Sequence, residues 1–278
     1  MSILEKASSP EVLNASWKRF ANDKAAWAPG IPKYKMEQNF IYHITKLANE
    51  LRNGAYKPDP VRYFTVNKGD GKNRIISAYT LRDKLAQRAV LTVLEPIGEK
   101  YFHHDSFGYR PGRSIDMALS RVRQYMLCGM KWVIDADISN YFDNIPHKTL
   151  IKSIKALIKD RATTNLIKVW LDAGTFKKGF LASSKGIPQG AVISPFLCNV
   201  YLTKWDIEMA KNNLPFVRFA DDFLVFAKSK KSAESAYNYV EKSLNKMGLA
   251  LNYDKTKVVS CGPNVTFLGR RLPKISIK

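Results

Sequence analysis

The stretch that most constrains the fold of this chain is FVRFADDFLVF, residues 216–226, where two adjacent carboxylates interrupt an apolar run. Aspartate is disfavoured in β-strands and is rarely buried unless it is paired or binds a metal ion. One interpretation of Asp221 and Asp222 is a tight turn, because aspartate tolerates turn geometry and both flanks resemble the strands of a hairpin. The other interpretation is a metal site at the tip of that hairpin.

A second acidic stretch favours the metal site. In WVIDADISNYFDNIP, residues 132–146, Asp137 follows an apolar strand pattern. A carboxylate at a strand end, brought beside a hairpin tip that carries another, can hold two divalent cations for in-line phosphoryl displacement. Oxygen-only ligands favour Mg²⁺, with two ions expected and Mn²⁺ as the alternative. Asp135 and Asp143 lie close by, and we expect both to be structural.

This acidic stretch also resembles two other kinds of site. Asp135 and Asp137 form a D-x-D pair, which metal-dependent glycosyltransferases also use to bind nucleotide sugars. That alternative stays open, although it explains neither the hairpin nor the charge of the chain. The stretch also begins like a calcium-binding EF-hand loop, but Asn140 takes the sixth position, which requires glycine, and Pro146 takes the twelfth, which requires glutamate.

Basic residues strongly outnumber acidic ones. Lysine and arginine total 45 against 24 aspartates and glutamates, which gives a formal net charge of +21. Such an imbalance indicates a polyanionic partner, and nucleic acid is the polyanion that we expect. A membrane surface is less favoured, because the basic residues are not gathered on one amphipathic helix.

Other features predict a cytoplasmic protein with no membrane partner. No apolar run approaches the roughly 18 residues that span a bilayer, and the first residues, MSILEKASSP, lack the pattern of a secretion signal. Cys128, Cys198 and Cys261 are far apart and form no C-x-x-C pair, so neither a disulfide framework nor a zinc site is indicated.

The order of predicted elements indicates a mixed α+β fold. The predicted segments are helices within 1–54, a hairpin within 56–79, a helix over 81–103, a helix ending near 128, a strand over 131–138, helices over 149–173, a helix reaching 211, the hairpin around 221, a helix over 232–247, a short strand near 249–253 and a last strand pair.

Seven stretches occur in an order that is specific to one family. They are GKNRIISAYTLRDKLAQRAV, SFGYRPGRS, DADISNYFDNI, KGIPQGAVISPFLCNVYL, RFADDFLVF, GLALNYDKTKVV and FLGRRL. From about 55 to 272 the chain resembles bacterial reverse transcriptases of the group II intron type, together with their relatives associated with CRISPR adaptation genes. A lone ADD would be weak evidence, whereas seven blocks at matching spacing are specific.

The resemblance implies an α+β, right-hand polymerase fold with palm and fingers, in which an antiparallel palm sheet packs on helices. We expect an N-terminal helical extension at 1–54, fingers at 55–131, and a palm at 132–278 with a helical fingers insertion at 150–182. No thumb is recognisable before the chain stops at LGRRLPKISIK. A partner protein that supplies a thumb or an integrase function is therefore one expectation, and a trimmed or compact form is the alternative.

The resemblance also implies a chemistry: extension of a DNA primer with deoxynucleotides on an RNA template. Asp137, Asp221 and Asp222 match the catalytic, metal-binding carboxylates of the family, with the backbone carbonyl of Ile138 as a further ligand. Lys255 matches a lysine that protonates the pyrophosphate leaving group. A catalytically inactive RNA-binding relative is the runner-up, against which the intact carboxylates argue.

Nucleotide and template contacts carry over in the same way. Phe142 matches an aromatic residue that excludes the 2′-hydroxyl of the sugar. Gln189 matches a residue that contacts the incoming nucleotide or the template, and Gly190 allows close backbone approach of the nucleotide there. The triphosphate is expected to contact Lys68, Lys72 and Arg74. The template path is expected to contact Tyr109, Arg110 and Arg113. Phe219 stands where intron enzymes usually carry tyrosine, which favours domesticated or CRISPR-linked relatives, and the biological setting stays open between intron mobility, spacer acquisition and phage defence.

Overall fold

The structure of the chain is a computed structural model, which describes residues 1–67, 73–174 and 184–274. In chain order the elements are α1 (Ile3–Ala7), α2 (Pro10–Lys18), α3 (Lys33–Gln38), α4 (Phe40–Asn53), β1 (Arg62–Asn67), β2 (Asn73–Ala78), α5 (Leu81–Tyr101), α6 (Ile115–Leu127), β3 (Trp132–Asp137), α7 (Tyr141–Asn144), α8 (His147–Leu157), α9 (Arg161–Gly174), α10 (Ser194–Lys211), β4 (Phe216–Phe219), β5 (Asp222–Ala227), α11 (Lys230–Lys246), β6 (Lys257–Ser260), β7 (Thr266–Phe267) and β8 (Arg270–Arg271).

The backbone forms two compact units. One consists of residues 1–100 and 146–197, and the other of residues 101–145 and 198–278. The predicted division into an extension, fingers and palm at 54/55 and 131/132 stays a prediction. Among the described residues, no helix is both long enough and apolar enough to cross a membrane.

The first unit is mainly helical and carries the β1–β2 hairpin, whose strands pair from Arg62–Ala78 to Asn67–Asn73. Helix α4 ends where Gly54 adopts a left-handed conformation (φ 73°), which glycine reaches without steric cost. A buried polar chain ties the helices together: the Trp170 indole donates to the Tyr56 hydroxyl (3.2 Å), which donates to Asp83 (2.5 Å). Burial raises the pKa of Asp83 to about 6.

The second unit is built on a four-stranded antiparallel sheet with the strand order β4-β5-β3-β6. Side chains alternate between its two faces. One face packs on α10, where Trp205 lies 5.4 Å from Phe216 and 4.8 Å from Phe223 between ring centres. The other face packs on α6, through a core that includes Val122 and Leu224.

At one end of the face that packs on α6, the side chains are acidic instead of apolar. The strand register puts Asp135 opposite Leu224 and Asp137 opposite Asp222, so all four side chains point to this face. The apolar part of the face is buried against the helix, and the acidic part continues past it. Because successive side chains of β3 point to opposite faces of the sheet, apolar and acidic residues alternate at the end of this strand.

One predicted element is wrong. The expected strand near 249–253 is a single bridge between Ile138 and Leu251, and the strand that completes the sheet is β6, at 257–260. The reason is local: the backbone N–H groups of Lys255 and Thr256 both donate to the Asn252 carbonyl, at 3.1 and 2.8 Å, so the chain turns there instead of continuing as a strand.

Candidate active site

The acidic end of the sheet in the second unit gathers three carboxylates. Asp137 and Asp222 are partners in the register of β3 and β5, and Asp135 lies two residues earlier on the same face. Directly opposed side chains on neighbouring antiparallel strands have Cβ atoms about 4.5–5.5 Å apart. Like charges at that separation repel each other, so the arrangement favours a bound cation.

The electrostatic cost is visible in the protonation of Asp222. Burial, together with the charges of Asp135, Asp137 and Asp221, raises its pKa to about 7. The pKa of Asp135 is also raised by burial, against the lowering effect of Lys257. A carboxylate that holds its proton near neutral pH among other carboxylates is typical of a site that is incomplete without positive charge.

The cations beside these carboxylates are both exposed lysines. Lys255 places its ammonium 3.3 Å from Asp137 Oδ2, with 67% of the lysine side chain exposed. Lys257 lies 3.8 Å from Asp135 Oδ2 and is also exposed. Exposed ion pairs of this kind contribute little, typically below about 1 kcal/mol. The ion pair with Asp137 is therefore weak enough for the Lys255 ammonium to contact a bound substrate as well.

Asn252 is a residue of this site that the sequence reasoning missed. Its side-chain amide donates to Asp137 Oδ2 at 3.1 Å, and its backbone N–H donates to the Asp137 carbonyl at 2.8 Å. The same residue accepts the Lys255 N–H, so it links the carboxylate to the lysine. The only sequence signal was its position in the turn between an apolar pair and Lys255.

The hairpin tip between β4 and β5 consists of Ala220 and Asp221. Phe219 pairs with Asp222, so the loop has two residues, and Ala220 has a φ of 61°. Such tight turns favour glycine at positions of positive φ. A non-glycine residue there costs about 1–3 kcal/mol, and it persists only where the surrounding structure enforces it.

The residues after Asp137 continue into a short helix. Ile138 is buried and bridges Leu251, which places it at the base of the acidic site. Asn140 enters α7 with a left-handed φ of 45°. The Tyr141 hydroxyl then donates to the Cys198 carbonyl at 2.7 Å, while the partly buried ring of Phe142 meets the Tyr141 ring edge-on at 5.7 Å.

The loop predicted to line the template path is braced internally. Arg110 is buried and donates to the carbonyls of His103 (2.6 Å) and Ser106 (2.5 Å). Arg113 is partly buried and donates to the His104 carbonyl at 3.3 Å. Tyr109 is 52% exposed with a φ of 58°, so it is the member of the three that is most open to a ligand. Template contacts by all three stay a prediction.

The predicted nucleotide contacts of the first unit lie on two segments. Arg74 is exposed on the β1–β2 hairpin, whereas Lys68 and Lys72 lie outside the described residues. The Gln189 carbonyl accepts the Ser77 N–H at 2.7 Å, which joins this segment to β2. Gly190 has a φ of 109°, and a Cβ there would clash with the Ser77 carbonyl oxygen. The glycine is therefore required by β2, and its contact with a nucleotide stays a prediction.

A second ionisable cluster lies on the loop after α5. His103, His104 and Asp105 each place one ligand-type atom within 4.8 Å of the others. They line a cleft of about 320 Å³ together with Tyr125 and Phe216. The carboxylate is already engaged, because Arg121 Nε donates to Oδ1 (2.6 Å) and the Tyr125 hydroxyl donates to Oδ2 (2.7 Å). We therefore assign this cluster a structural role.

Comparison with known proteins decides the family. The model of the family described as reverse transcriptase (RNA-dependent DNA polymerase) matches residues 66–272, most of the chain. The chain belongs to the reverse transcriptase family. The predicted membership and enzyme class, RNA-directed DNA polymerase, are thereby confirmed, and reverse transcriptases generally use divalent metal ions.

Two relatives show how the match is distributed. Protein YkfC of Escherichia coli (strain K12) is 32% identical over 97% of this reverse transcriptase chain and 82% of its own length. The group II intron-encoded protein LtrA of Lactococcus lactis subsp. cremoris is 34% identical over 75% of this chain but only 35% of its own length. The chain thus spans about a third of the length of LtrA.

A solved structure supports the fold. A chain of a partial Cas6-RT-Cas1–Cas2 complex superposes with a TM-score of 0.51 at 24% identity, covering 88% of this chain and 42% of its own. This likeness concerns the fold alone, and it confirms the predicted α+β palm-and-fingers architecture. That the sheet carrying Asp137 and Asp222 is the palm of this reverse transcriptase stays a prediction.

Proposed function

We propose that this chain extends a DNA primer with deoxynucleotides on an RNA template, and that Asp137, Asp221 and Asp222 form its catalytic centre. The observation that carries the proposal is the opposition of Asp137 and Asp222 on one face of the palm sheet, with Asp135 beside them and the exposed Lys255 and Lys257 nearby. A partly buried cluster of like charges is costly unless it serves a bound cation.

The donor set fits Mg²⁺. Its side-chain oxygens come from three aspartates, and hard oxygen ligands favour Mg²⁺, with Mn²⁺ as a substitute. Asp137 and Asp221 would hold two ions, with the backbone carbonyl of Ile138 as a further ligand. When bound, such ions supply the charge that stabilises the attacking and leaving oxygens of a phosphoryl transfer. Asp222 completes the acidic motif.

The other predicted residues act on the substrates in this proposal. Lys255, exposed beside Asp137, donates a proton to the pyrophosphate leaving group, and Asn252 orients Asp137. Phe142 selects the sugar by excluding a 2′-hydroxyl. The triphosphate contacts are Lys68, Lys72, Arg74, Gln189 and Gly190. The template contacts are Tyr109, Arg110 and Arg113.

The biological setting is a separate proposal. The relatives include an intron-encoded protein and a chain from a Cas6-RT-Cas1–Cas2 complex. We propose that this chain works either with a group II-like intron RNA or in spacer acquisition, in each case with partners that bind the primer–template duplex. The net charge of +21 supports a nucleic-acid partner in both settings.

Primer extension tests the catalytic proposal. The purified chain is given a DNA primer on an RNA template, deoxynucleotides and Mg²⁺, and single-nucleotide addition is measured. Asp137→Ala and Asp221→Ala are each expected to abolish extension, while the affinity for the primer–template, measured by fluorescence anisotropy, stays within about threefold. Both variants remove a proposed metal ligand and leave the basic surface intact.

The matched control is Asp254→Ala, an exposed carboxylate in the turn that follows Asn252. It removes the same charge from the same neighbourhood, and we expect extension at the wild-type rate. Extension by either Asp137→Ala or Asp221→Ala would contradict the site assignment. A wild type that binds RNA tightly but never extends a primer would favour the inactive RNA-binding alternative.

A further inference from the structure

A fully buried arginine lies directly behind the catalytic hairpin. Arg218 occupies the strand β4 two residues before Ala220, and its side chain has no exposed surface. Its guanidinium makes a bidentate pair with Asp206 on α10, Nε to Oδ1 at 2.8 Å and Nη2 to Oδ2 at 2.6 Å. The Asp206 side chain is likewise unexposed. A buried pair of this kind is weak evidence for stability alone, since apolar residues often replace it without loss.

The Nη1 group of Arg218 bonds both the hairpin tip and a side chain of α10. Nη1 donates to the Ala220 carbonyl at 2.9 Å and to Asn199 Oδ1 at 3.0 Å. Asn199 in turn donates to the Gly108 carbonyl at 2.8 Å. A Cβ at Gly108 would clash with the Ala220 backbone nitrogen and would lie 2.9 Å from the Phe219 carbonyl carbon. The turn is therefore held by a hydrogen bond on its carbonyl and by close packing against its nitrogen.

These contacts converge on the one strained residue of the turn. Ala220 has a φ of 61° and immediately precedes Asp221. A non-glycine residue stays in that conformation only when its surroundings impose it. The orientation of the Asp221 carboxylate depends on this backbone, because the two-residue loop leaves no other segment to absorb a change.

We infer that Arg218 is a positioning residue of the polymerase: its hydrogen bond to the Ala220 carbonyl fixes the turn that aims Asp221 at the metal pair. The inference rests on the proposed metal role of Asp221. It predicts that removal of the guanidinium fork lowers metal affinity and turnover, with little effect on nucleotide binding.

The test separates positioning from stability with a compensated variant. Arg218→Met alone leaves Asp206 buried and unpaired, and should lower Tm by about 10 °C. Arg218→Met combined with Asp206→Leu removes both charges and should restore Tm to within a few degrees. Because neither variant can bond the Ala220 carbonyl, both should show kcat reduced about 100-fold, as expected for a misplaced catalytic group.

Metal binding gives a readout that does not depend on activity. Titration with Mn²⁺, followed by electron paramagnetic resonance of the free ion, should show at least about tenfold weaker binding in the double variant, while KM for deoxynucleotide stays within about threefold of wild type. Arg218→Lys keeps the charge against Asp206 but not the planar fork, and should show the same losses with a small change in Tm.

The opposing results are distinct. A double variant with wild-type kcat and Mn²⁺ affinity would overturn the inference and leave Arg218 a structural residue, without affecting the proposed function. A wild type that binds no Mn²⁺, or binds it as well after Asp221→Ala, would overturn the metal role of Asp221 and the inference with it.

Discussion

Two clusters of ionisable side chains in the second unit each contain a shielded aspartate and differ in how its charge is balanced. At the end of the sheet, Asp222 faces Asp137 and its pKa rises to about 7. On the loop after α5, Asp105 is buried against Arg121 and Tyr125, which bond both of its oxygens. The Asp105 carboxylate, paired with a cation, holds the loop in place, whereas the Asp222 carboxylate lies among like charges that a bound cation would neutralise.

The largest expected effect is on catalysis, and it should separate the clusters completely. Asp222→Asn keeps the shape of the side chain but removes the charge from the catalytic centre, so extension should fall by about 100-fold or more. Asp105→Asn removes a charge of equal size from the loop, and kcat should stay within a few-fold of wild type. Single-turnover primer extension measures both, and similar losses in the two variants would erase the distinction.

Selection between deoxyribose and ribose should also depend on a residue near the acidic cluster and not on the loop cluster. Phe142 lies on α7, directly after the strand that carries Asp137, and an apolar ring there offers no partner to a 2′-hydroxyl. A buried hydroxyl without a partner costs about 1–3 kcal/mol, which corresponds to roughly 5- to 150-fold discrimination.

Phe142→Val should therefore reduce the preference for dGTP over GTP by a factor in that range, measured as the ratio of kcat/KM values on one template. Tyr125→Phe, an aromatic change in the loop cluster, should leave the ratio unmoved. If the ratio is the same in wild type and Phe142→Val, then Phe142 is a packing residue and the sugar is selected elsewhere.

Stability should respond in the opposite sense to catalysis. The pKa of Asp222 rises from 3.8 to about 7 on folding, so between these values the folded chain holds a proton that the unfolded chain has released. Stability from this residue is therefore lost as pH rises from about 4 to 7. Asp222→Asn should raise Tm at pH 8 by about 2 °C or more in metal-free buffer, and should have little effect at pH 4.

Asp105→Asn provides the contrast in the same thermal scans. It removes the charge and replaces one of the two acceptor oxygens, which bond Arg121 and Tyr125, with an NH2 group. A lost charged hydrogen bond costs about 1–3 kcal/mol, so Tm should fall at pH 8. Burial and Asp105 raise the pKa of Tyr125 to about 12, so the phenol stays a donor across this range. A rise in Tm for Asp105→Asn would show that its contacts are not stabilising.

The smallest expected effect is at His104, which lies 3.2 Å from Asp105 Oδ2 but is 67% exposed. His104→Ala should change the free energy of unfolding by less than about 0.5 kcal/mol, because exposed side chains away from special features rarely do more. Extension should be unchanged. A loss of extension when divalent metal is limiting would show that the loop cluster takes part in metal binding.

The acidic residues of the candidate site can be found from the sequence more readily than the contacts that support them. Asp137 and Asp222 stand out because acidic residues interrupt apolar strands, and the strand register then fixes which of them face each other. The α6 helix follows from its apolar periodicity. These features depend on residues that are close in sequence, which is where pattern reasoning works.

The supporting contacts could not be predicted in the same way. Asn252 and Asp206 look like ordinary polar residues of a turn and a helix, and their importance lies in partners on distant segments. The sequence does contain a signal for Arg218, because a charged residue at an inward position of an apolar strand requires a buried partner. The packing of Gly190 against β2 could not be predicted from the sequence either, and its expected contact with a nucleotide stays a prediction.

The close approach of Gly108 to Ala220 has a consequence for the order in which the molecule folds. Three segments meet there, around residues 108, 199 and 220, and the first and last lie far apart in the sequence. Contacts between distant segments require the closure of long loops, so they form late. We expect the catalytic turn to reach its native shape only after the rest of the sheet has assembled, so that a partly folded chain gains no polymerase activity.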